Sequence, residues 1–462
     1  ITAGRRVRLH GQIGAREEAG YGAQAREIAA QLAVHFERGR DYHRAVQYRR
    51  RAAENALGRS AHQEAISHLT QGLKLLSILP DSPDCTQQEL RLQIMLGASL
   101  SATKGYTAPE SERVYTRAHE LCQRVGETPQ LVLVLLGLWA FYQMRGELHK
   151  ARELGERRLH LARTIGHPFL LLASHVTLGV TLFYQGEFVR AKAHWEKGAE
   201  CYQLHQGPAP TFYSAEDPWV TCLAYLAWTL GLLGYPDQAL KSSRQALSSA
   251  QELSQPFSLT LALDHASALH QLRREAGEVQ ERAQASVALA KDQGYPFWIA
   301  GGSVMRGWAL SQQHRSEEGI AQIQGGLAAL RAMGAELGRP YCLALLAEAY
   351  EQAGQAAAGL RTIEEGLKTA HSTGEGYYEA ELYRMKGELT LQQLNARFRR
   401  RAREMMGSAR LIDEARRIAA RFSVALQPFV KRFVADSETP TYFLRAAGFI
   451  VADDPCKSRM QR

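Results

Sequence analysis

A helix-pair motif recurs about every 40 residues through the middle and late parts of this chain. Each copy has a proline, an apolar and aromatic-rich stretch, a turn, and a second helical stretch. The prolines lie 38 to 50 residues apart, at Pro129, Pro168, Pro218, Pro256, Pro296 and Pro340. A fixed period of this length is typical of a solenoid, in which each repeat packs mainly on its neighbours. Such folds usually present an extended binding surface rather than a catalytic pocket.

A second marker supports the same period, because a small or branched apolar residue follows each inter-helix turn. These residues lie 40 to 48 positions apart, at Ala151, Ala191, Ala239, Val279, Gly319 and Gly359. Proline suits the first turn of a helix, where its missing N–H would have no partner, and small residues let paired helices approach closely. The pattern predicts an all-α, right-handed α-solenoid of antiparallel helix pairs with repeats of about 40 residues.

The same reading divides the chain into three parts. Helices are predicted over residues 131–144, 151–163, 169–185 and 191–204, and upstream over 23–37, 42–57 and 62–78. We interpret residues 1–22 as a connector from an upstream domain, 23–394 as the solenoid, and 395–462 as a basic, helical and partly disordered tail. An insertion at residues 206–213, rich in proline and glycine, accounts for the longest repeat steps and is either a spacer or a functional loop.

Composition limits the class of protein. The chain is 45% hydrophobic and 22% charged, as expected for a folded globular body. Its six cysteines are scattered without a C-x-x-C pair, which favours buried thiols in a cytoplasmic protein over zinc or a disulfide framework. Residues 218–236 contain no charged residue but are interrupted by Gly231 and Gly234, so we predict a buried solenoid helix rather than a membrane span.

No catalytic motif is recognisable in the sequence. Phosphate-binding glycine loops, H-E-x-x-H and G-x-S-x-G are all missing, and His265 and His270 are five residues apart, which is poor spacing for joint metal ligation. We therefore expect no enzymatic activity from this chain alone, and neither a cofactor nor a metal.

Polar and aromatic residues on the first helix of each pair are candidates for the concave binding surface. Most aromatic residues must belong to the core, because stacked helix pairs bury one face of every helix. The candidates for contact with a protein or small-molecule effector are Trp139, Tyr142, Arg145, Tyr184, Trp298, Arg306, Glu348 and Tyr350.

A basic segment near the end of the chain offers a different function. Residues 397–432 contain eleven Lys or Arg and three acids, a net charge of about +8 against +9 for the whole chain. The densest positions are Arg399, Arg400, Arg401, Arg403, Arg416 and Arg417. Positive charges at this density are suited to contacts with the phosphates of a nucleic acid, and such binding would depend strongly on salt. The competing interpretation is a solvated helix or tail. Self-association through the ends of the solenoid is a third possibility.

The repeats resemble tetratricopeptide repeats in a long variant. Three stretches are similar to the C-terminal repeat region of bacterial STAND-type predicted ATPases, which are often fused to class III adenylate or guanylate cyclase domains: residues 102–110 (ATKGYTAPE), 338–350 (GRPYCLALLAEAY) and 379–389 (EAELYRMKGEL). This resemblance implies a sensor or scaffold arm that regulates an attached or partner NTPase or cyclase. No catalytic residue follows from this resemblance, because neither an NTPase domain nor a cyclase domain matches this sequence. The expected partners are thus an effector and an NTPase, with nucleic acid as the alternative and no membrane.

Overall fold

Helices make up nearly all of the computed structural model, which describes the backbone of residues 2–126, 129–204 and 216–404 and the side chains up to residue 398. Within these ranges there are nineteen α-helices, one 3₁₀ segment (Gly22–Arg26) and no strand. In chain order the helices are α1 (Ala3–Tyr21), α2 (Ala29–Arg38), α3 (Tyr42–Leu57), α4 (His62–Leu76), α5 (Pro83–Lys104), α6 (Pro109–Val125), α7 (Pro129–Met144), α8 (Leu148–Ile165), α9 (Pro168–Tyr184), α10 (Phe188–Leu204), α11 (Pro218–Leu232), α12 (Pro236–Glu252), α13 (Pro256–Leu272), α14 (Ala276–Gln293), α15 (Pro296–Gln312), α16 (Ser316–Ala332), α17 (Arg339–Gln352), α18 (Ala356–Thr373) and α19 (Glu379–Glu404).

The prolines of the repeat stand at helix starts, as predicted. Five of the six open α7, α9, α11, α13 and α15, and Pro340 is the second residue of α17. One helix prediction is wrong in part: the segment predicted as a helix over residues 23–37 begins with the 3₁₀ segment Gly22–Arg26, and α2 starts only at Ala29. Gly22 has a positive φ of 50°, which ends α1 and redirects the chain. The insertion at residues 206–213 lies outside the described ranges.

The helices form two layers. Each odd-numbered helix from α3 to α17 packs against the even-numbered helix that follows it, and from α5 onward consecutive odd-numbered helices also pack on one another. The odd-numbered helices therefore form the inner layer and the even-numbered helices the outer layer. This confirms the predicted all-α solenoid of antiparallel helix pairs. In the described ranges no helix combines the length and the apolar character that crossing a bilayer requires.

The solenoid closes on itself through two loops that cross its interior. Glu336 and Leu337 donate their backbone N–H groups to the carbonyl of Met144, at 2.9 and 3.1 Å, and the N–H groups of Gly376 and Tyr377 donate to the carbonyl of Tyr184, at 2.9 and 3.2 Å. Met144 and Tyr184 end helices α7 and α9, where carbonyls have no partner within the helix. The loops at residues 333–338 and 374–378, which we call the closing loops, thus satisfy helix ends that lie about 190 residues earlier in the chain.

Candidate ligand-binding site

The closing loops lie against the inner layer, and we call the interior that they share with α7, α9, α11, α13, α15 and α17 the lumen. Four of the eight predicted surface residues are buried at its wall or beside it: Trp139, Tyr184, Trp298 and Glu348. Tyr142, Arg306 and Tyr350 are half-buried, and Arg145 is exposed. The structure therefore does not bring the eight residues together on one open surface.

The partially exposed candidates make local contacts with neighbouring helices. The Lys150 ammonium lies 4.9 Å from the centre of the Tyr142 ring, and Arg145 Nε donates to Glu147 at 3.0 Å. The Tyr350 hydroxyl accepts from Gln324 at 2.8 Å. These contacts join consecutive elements of the solenoid and do not converge on one point.

Glu348 is a buried carboxylate with several donors. Trp308 Nε1 and Gln312 Nε2 donate to it at 3.0 and 2.9 Å, and the Arg274 guanidinium forms an ion pair with it. Arg274 follows α13, Trp308 lies on α15 and Glu348 on α17, so this carboxylate ties three successive repeats together. Its contacts indicate a structural role more than a place for a ligand.

Aromatic side chains fill the middle of the lumen around Tyr377, in the second closing loop. Its ring centre lies 5.2 Å from those of Phe183 and Tyr184 and 5.7 Å from that of Trp228, which is also 5.7 Å from Tyr341. Tilted and edge-on aromatic contacts at such distances stabilise a packed cluster. The cluster joins α9 and α11 to α17 and the residues before α19, so its integrity depends on closure.

Buried polar atoms without a hydrogen-bond partner among the described residues recur along the lumen. They include Trp228 Nε1, Asp264 Oδ1, His265 Nε2, Trp298 Nε1 and the Tyr377 hydroxyl oxygen. Burial raises the pKa of Asp264 to about 7 and lowers the pKa of His265 to about 4. Because a buried unpaired polar group costs about 1–3 kcal/mol, this interior offers hydrogen bonds that a guest molecule could satisfy.

A cavity of about 60 Å³ lies between α7, α8, α9, α11, α13 and α15. Trp139 and Trp298 belong to its wall, together with Phe169 and Val176. Three further lining residues of α7 are half-buried and four positions apart, which places them on one helix face at the mouth of the cavity: Leu136, Ala140 and Met144. Since the Met144 carbonyl accepts from the first closing loop, the mouth adjoins the lumen.

One arginine and one glutamate line this largely apolar cavity. Arg158, on the outer helix α8, is completely buried, and burial lowers its pKa to about 9. Burial raises the pKa of Glu216 to about 7, and Tyr106 donates a hydrogen bond to this carboxyl at 3.3 Å. Glu216 is therefore partly protonated at neutral pH, so its negative charge in the cavity is smaller than that of an ordinary carboxylate.

The sequence predictions missed Arg158, Glu216 and Asp264, and for Arg158 a signal was present. Arg158 lies seven residues after the small-residue marker Ala151. The corresponding positions of the other repeats are all small and buried: Gly198, Ala246, Ser286, Gly326 and Gly366. An arginine at a position that otherwise holds a small buried residue is the irregularity that points to this cavity.

Metal and nucleic-acid sites find no support in the described part of the chain. No group of three or more His, Cys, Asp or Glu residues there could hold a metal ion. Of the basic residues, Arg399, Arg400, Arg401 and Arg403 belong to the last turns of α19, where no side chain is described, and Arg416 and Arg417 lie outside the described ranges. The nucleic-acid alternative stays a prediction.

No family model matches the chain. Over 361 residues it is 24% identical to an uncharacterized protein of Rhizobium meliloti (strain 1021), an alignment that covers 78% of this chain and 35% of that protein. The chain thus spans about a third of the length of this relative.

Solved structures of helical repeat proteins are similar to this one. A Rap protein complexed with competence and sporulation factor matches with a TM-score of 0.51 at 9% identity, covering 75% of this chain and 99% of that one. A STAND protein with a tetratricopeptide repeat sensor from Pyrococcus horikoshii matches with a TM-score of 0.40 at 13% identity, covering 74% and 52%. The first of these similarities shows a shared fold. At sequence identities this low, nothing beyond the fold is inferred from it.

Proposed function

We propose that this chain is a non-catalytic regulatory repeat domain that binds a protein, peptide or small-molecule effector at its lumen. The observation that carries the proposal is the row of buried, unpartnered polar atoms on the inner helices, next to a cavity and behind closing loops. The Rap protein of similar fold, whose structure is of a complex with competence and sporulation factor, supports the choice of a binding role.

The relay in this proposal is the opening or tightening of the closing loops. An effector that binds one curvature of the solenoid more tightly than another shifts the population toward the curvature that it prefers. The shift in free energy equals the difference between the two binding free energies and cannot exceed it. The hydrogen bonds at Met144 and Tyr184 connect early repeats to late ones, so a change there alters the relative position of distant helices. We propose an attached or partner NTPase or cyclase as the recipient, on the resemblance of residues 338–350 and 379–389 to STAND repeat regions.

A thermal-shift screen with peptide and metabolite libraries, followed by hydrogen exchange, tests this function. We expect a stabilising compound to change the exchange rates of the Glu336, Leu337, Gly376 and Tyr377 amides, which close the lumen. The expected change is on the order of tenfold or more, because exchange follows the free energy of local opening. Compounds that bind while protecting only outer-layer helices, with these four amides unchanged, would contradict a relay through the lumen.

A further inference from the structure

Arg158 is a fully buried arginine that forms no ion pair within the described part of the chain. Its Nε donates to the Val132 carbonyl at 2.9 Å, and its Nη1 donates to the Ala173 carbonyl and to the Thr177 hydroxyl. Nη2 is the one guanidinium nitrogen without a partner among the described residues. A buried charge of this kind is costly unless a charged partner and further hydrogen bonds compensate for it.

The fold itself does not need this guanidinium. Val132 and Ala173 lie inside α7 and α9, where a carbonyl already accepts the backbone N–H four residues later. In five other repeats a glycine, alanine or serine takes the position equivalent to Arg158, and the helices pack there without any charge. The arginine therefore adds a positive group to the cavity at a position where packing requires only a small residue.

The size and the lining of the cavity limit which kind of anion can pair with this charge. Its volume of about 60 Å³ leaves room for on the order of four water-sized groups. Most of the cavity wall is apolar, with Leu136, Ala140 and Val176 among its residues, and Glu216 is the one carboxyl in the lining. A phosphate or sulfate would lose its hydration against these walls, whereas a carboxylate with a short hydrocarbon chain matches one guanidinium and an apolar surround.

We propose that this cavity binds a small aliphatic monocarboxylate, with the carboxylate on Nη2 of Arg158 and the hydrocarbon against the Ala140 face of α7. This deepens the proposed function and rests on it, because it names the chemical class of effector that the lumen admits. The ligand enters through the half-buried mouth at Leu136, Ala140 and Met144.

Titration calorimetry of the whole chain at pH 7 tests the proposal, with isobutyrate as the probe and isobutyramide as its neutral analogue. We expect saturable binding of isobutyrate and at least about tenfold weaker binding of isobutyramide, which cannot form a charge-assisted pair. Acetate should bind more weakly than isobutyrate by about fourfold for each carbon that is no longer buried. Equal binding of isobutyrate and isobutyramide, or no saturable binding of isobutyrate, would overturn the proposal.

Two variants locate the binding and one serves as the control. Arg158→Met should weaken isobutyrate binding at least about tenfold, by loss of the charged pair, while Arg157→Met, at the exposed neighbouring position, should not change it. Arg158→Met also removes the hydrogen bonds to the Val132 and Ala173 carbonyls, so Ala140→Leu provides a second test: it fills the mouth without altering Arg158 and should abolish binding in a chain with wild-type helicity. Unchanged affinity in folded Ala140→Leu would overturn the site.

The same titrations separate this inference from the proposed relay. Binding of isobutyrate that depends on Arg158 but leaves the closing-loop amides unchanged in hydrogen exchange would support the ligand class and overturn the relay. Absence of isobutyrate binding, alongside a peptide that alters those amides, would overturn the ligand class and support the relay.

Discussion

At the scale of single residues, burial changes the chemistry of acids that look ordinary in the sequence. Glu375, in the second closing loop, is 2% exposed and accepts hydrogen bonds from the Gly338 N–H at 3.0 Å and the Thr373 hydroxyl at 3.3 Å. Burial raises its pKa to about 8, against an ordinary value of 4.5. The folded chain thus retains a proton at Glu375 that the unfolded chain releases.

We predict that Glu375→Gln stabilises the chain increasingly as pH rises. Because the folded pKa lies above the unfolded one, the wild-type carboxyl lowers stability progressively between pH 4.5 and about 8, and the loss is constant above that range. Glutamine has nearly the same shape and no such loss. The difference in free energy of unfolding, measured with urea, should grow by on the order of 3 kcal/mol from pH 5 to pH 9.

Glu364→Gln is the matched control for this pH series. Glu364 is an exposed residue of α18, so its replacement should change the free energy of unfolding by the same small amount at pH 5 and pH 9. A pH-independent difference between wild type and Glu375→Gln would show that Glu375 is not protonated in the folded chain.

At the scale of helices, close approach depends on small residues at defined positions, and α15 and α16 show this most clearly. A Cβ on Gly319 would lie 2.4 Å from the Gly307 carbonyl oxygen, and a Cβ on Gly326 would lie 2.7 Å from the Ala300 carbonyl oxygen. The repeat marker predicted close contact at Gly319. The second contact lies seven residues later because residues seven apart, about two helical turns, lie on the same face of a helix.

We predict opposite effects for two adjacent glycines of α16. Gly326→Ala should lower the free energy of unfolding by about 2 kcal/mol, because the new methyl group overpacks the contact with α15. Gly325→Ala should raise it by up to about 1 kcal/mol, since nothing lies within 4 Å of the new Cβ and alanine favours helix more than glycine does. Denaturant unfolding of both variants is the measurement, and equal effects would contradict the packing shown here.

At the scale of the whole molecule, closure distinguishes this solenoid from an open array of repeats. The second closing loop passes so near the end of α9 that a Cβ on Gly376 would lie 2.6 Å from the Gln185 carbonyl oxygen. Aromatic contacts between Phe183, Trp228 and Tyr377 lie directly behind this loop. Closure therefore rests on a backbone contact that tolerates no side chain.

We predict that Gly376→Ala opens the solenoid. The methyl group cannot fit beside Gln185 without displacing the closing loop, so the hydrogen bonds to the Tyr184 carbonyl should weaken. Small-angle X-ray scattering should show a larger radius of gyration, and the Gly376 region should exchange faster. Gly387→Ala on α19, with nothing within 4 Å of the new Cβ, should leave both measurements unchanged; no difference between the two variants would mean that closure does not depend on this contact.

The sequence by itself determined the elements and their order. Proline at helix starts, glycine or a polar turn between helices, and a small residue such as Ala191 or Gly319 after each turn are local signals, and each acts through its own helix or the next one. They were sufficient to predict α3, α4 and α7–α10 with boundaries that differ by only a few residues from those observed, and to mark the later helix pairs by their prolines and small residues. Trp139 and Trp298 could likewise be assigned to the inner layer from their place in the repeat.

Only the tertiary structure decided which distant repeats meet. The contact of Tyr377 with Phe183 joins residues about 190 positions apart, and it depends on small rotations between neighbouring repeats that accumulate over five helix pairs. The sequence of a single repeat does not determine this accumulated rotation. For the same reason the sequence placed the candidate surface on an open concave face, whereas the closing loops cover that face and make it the wall of the lumen.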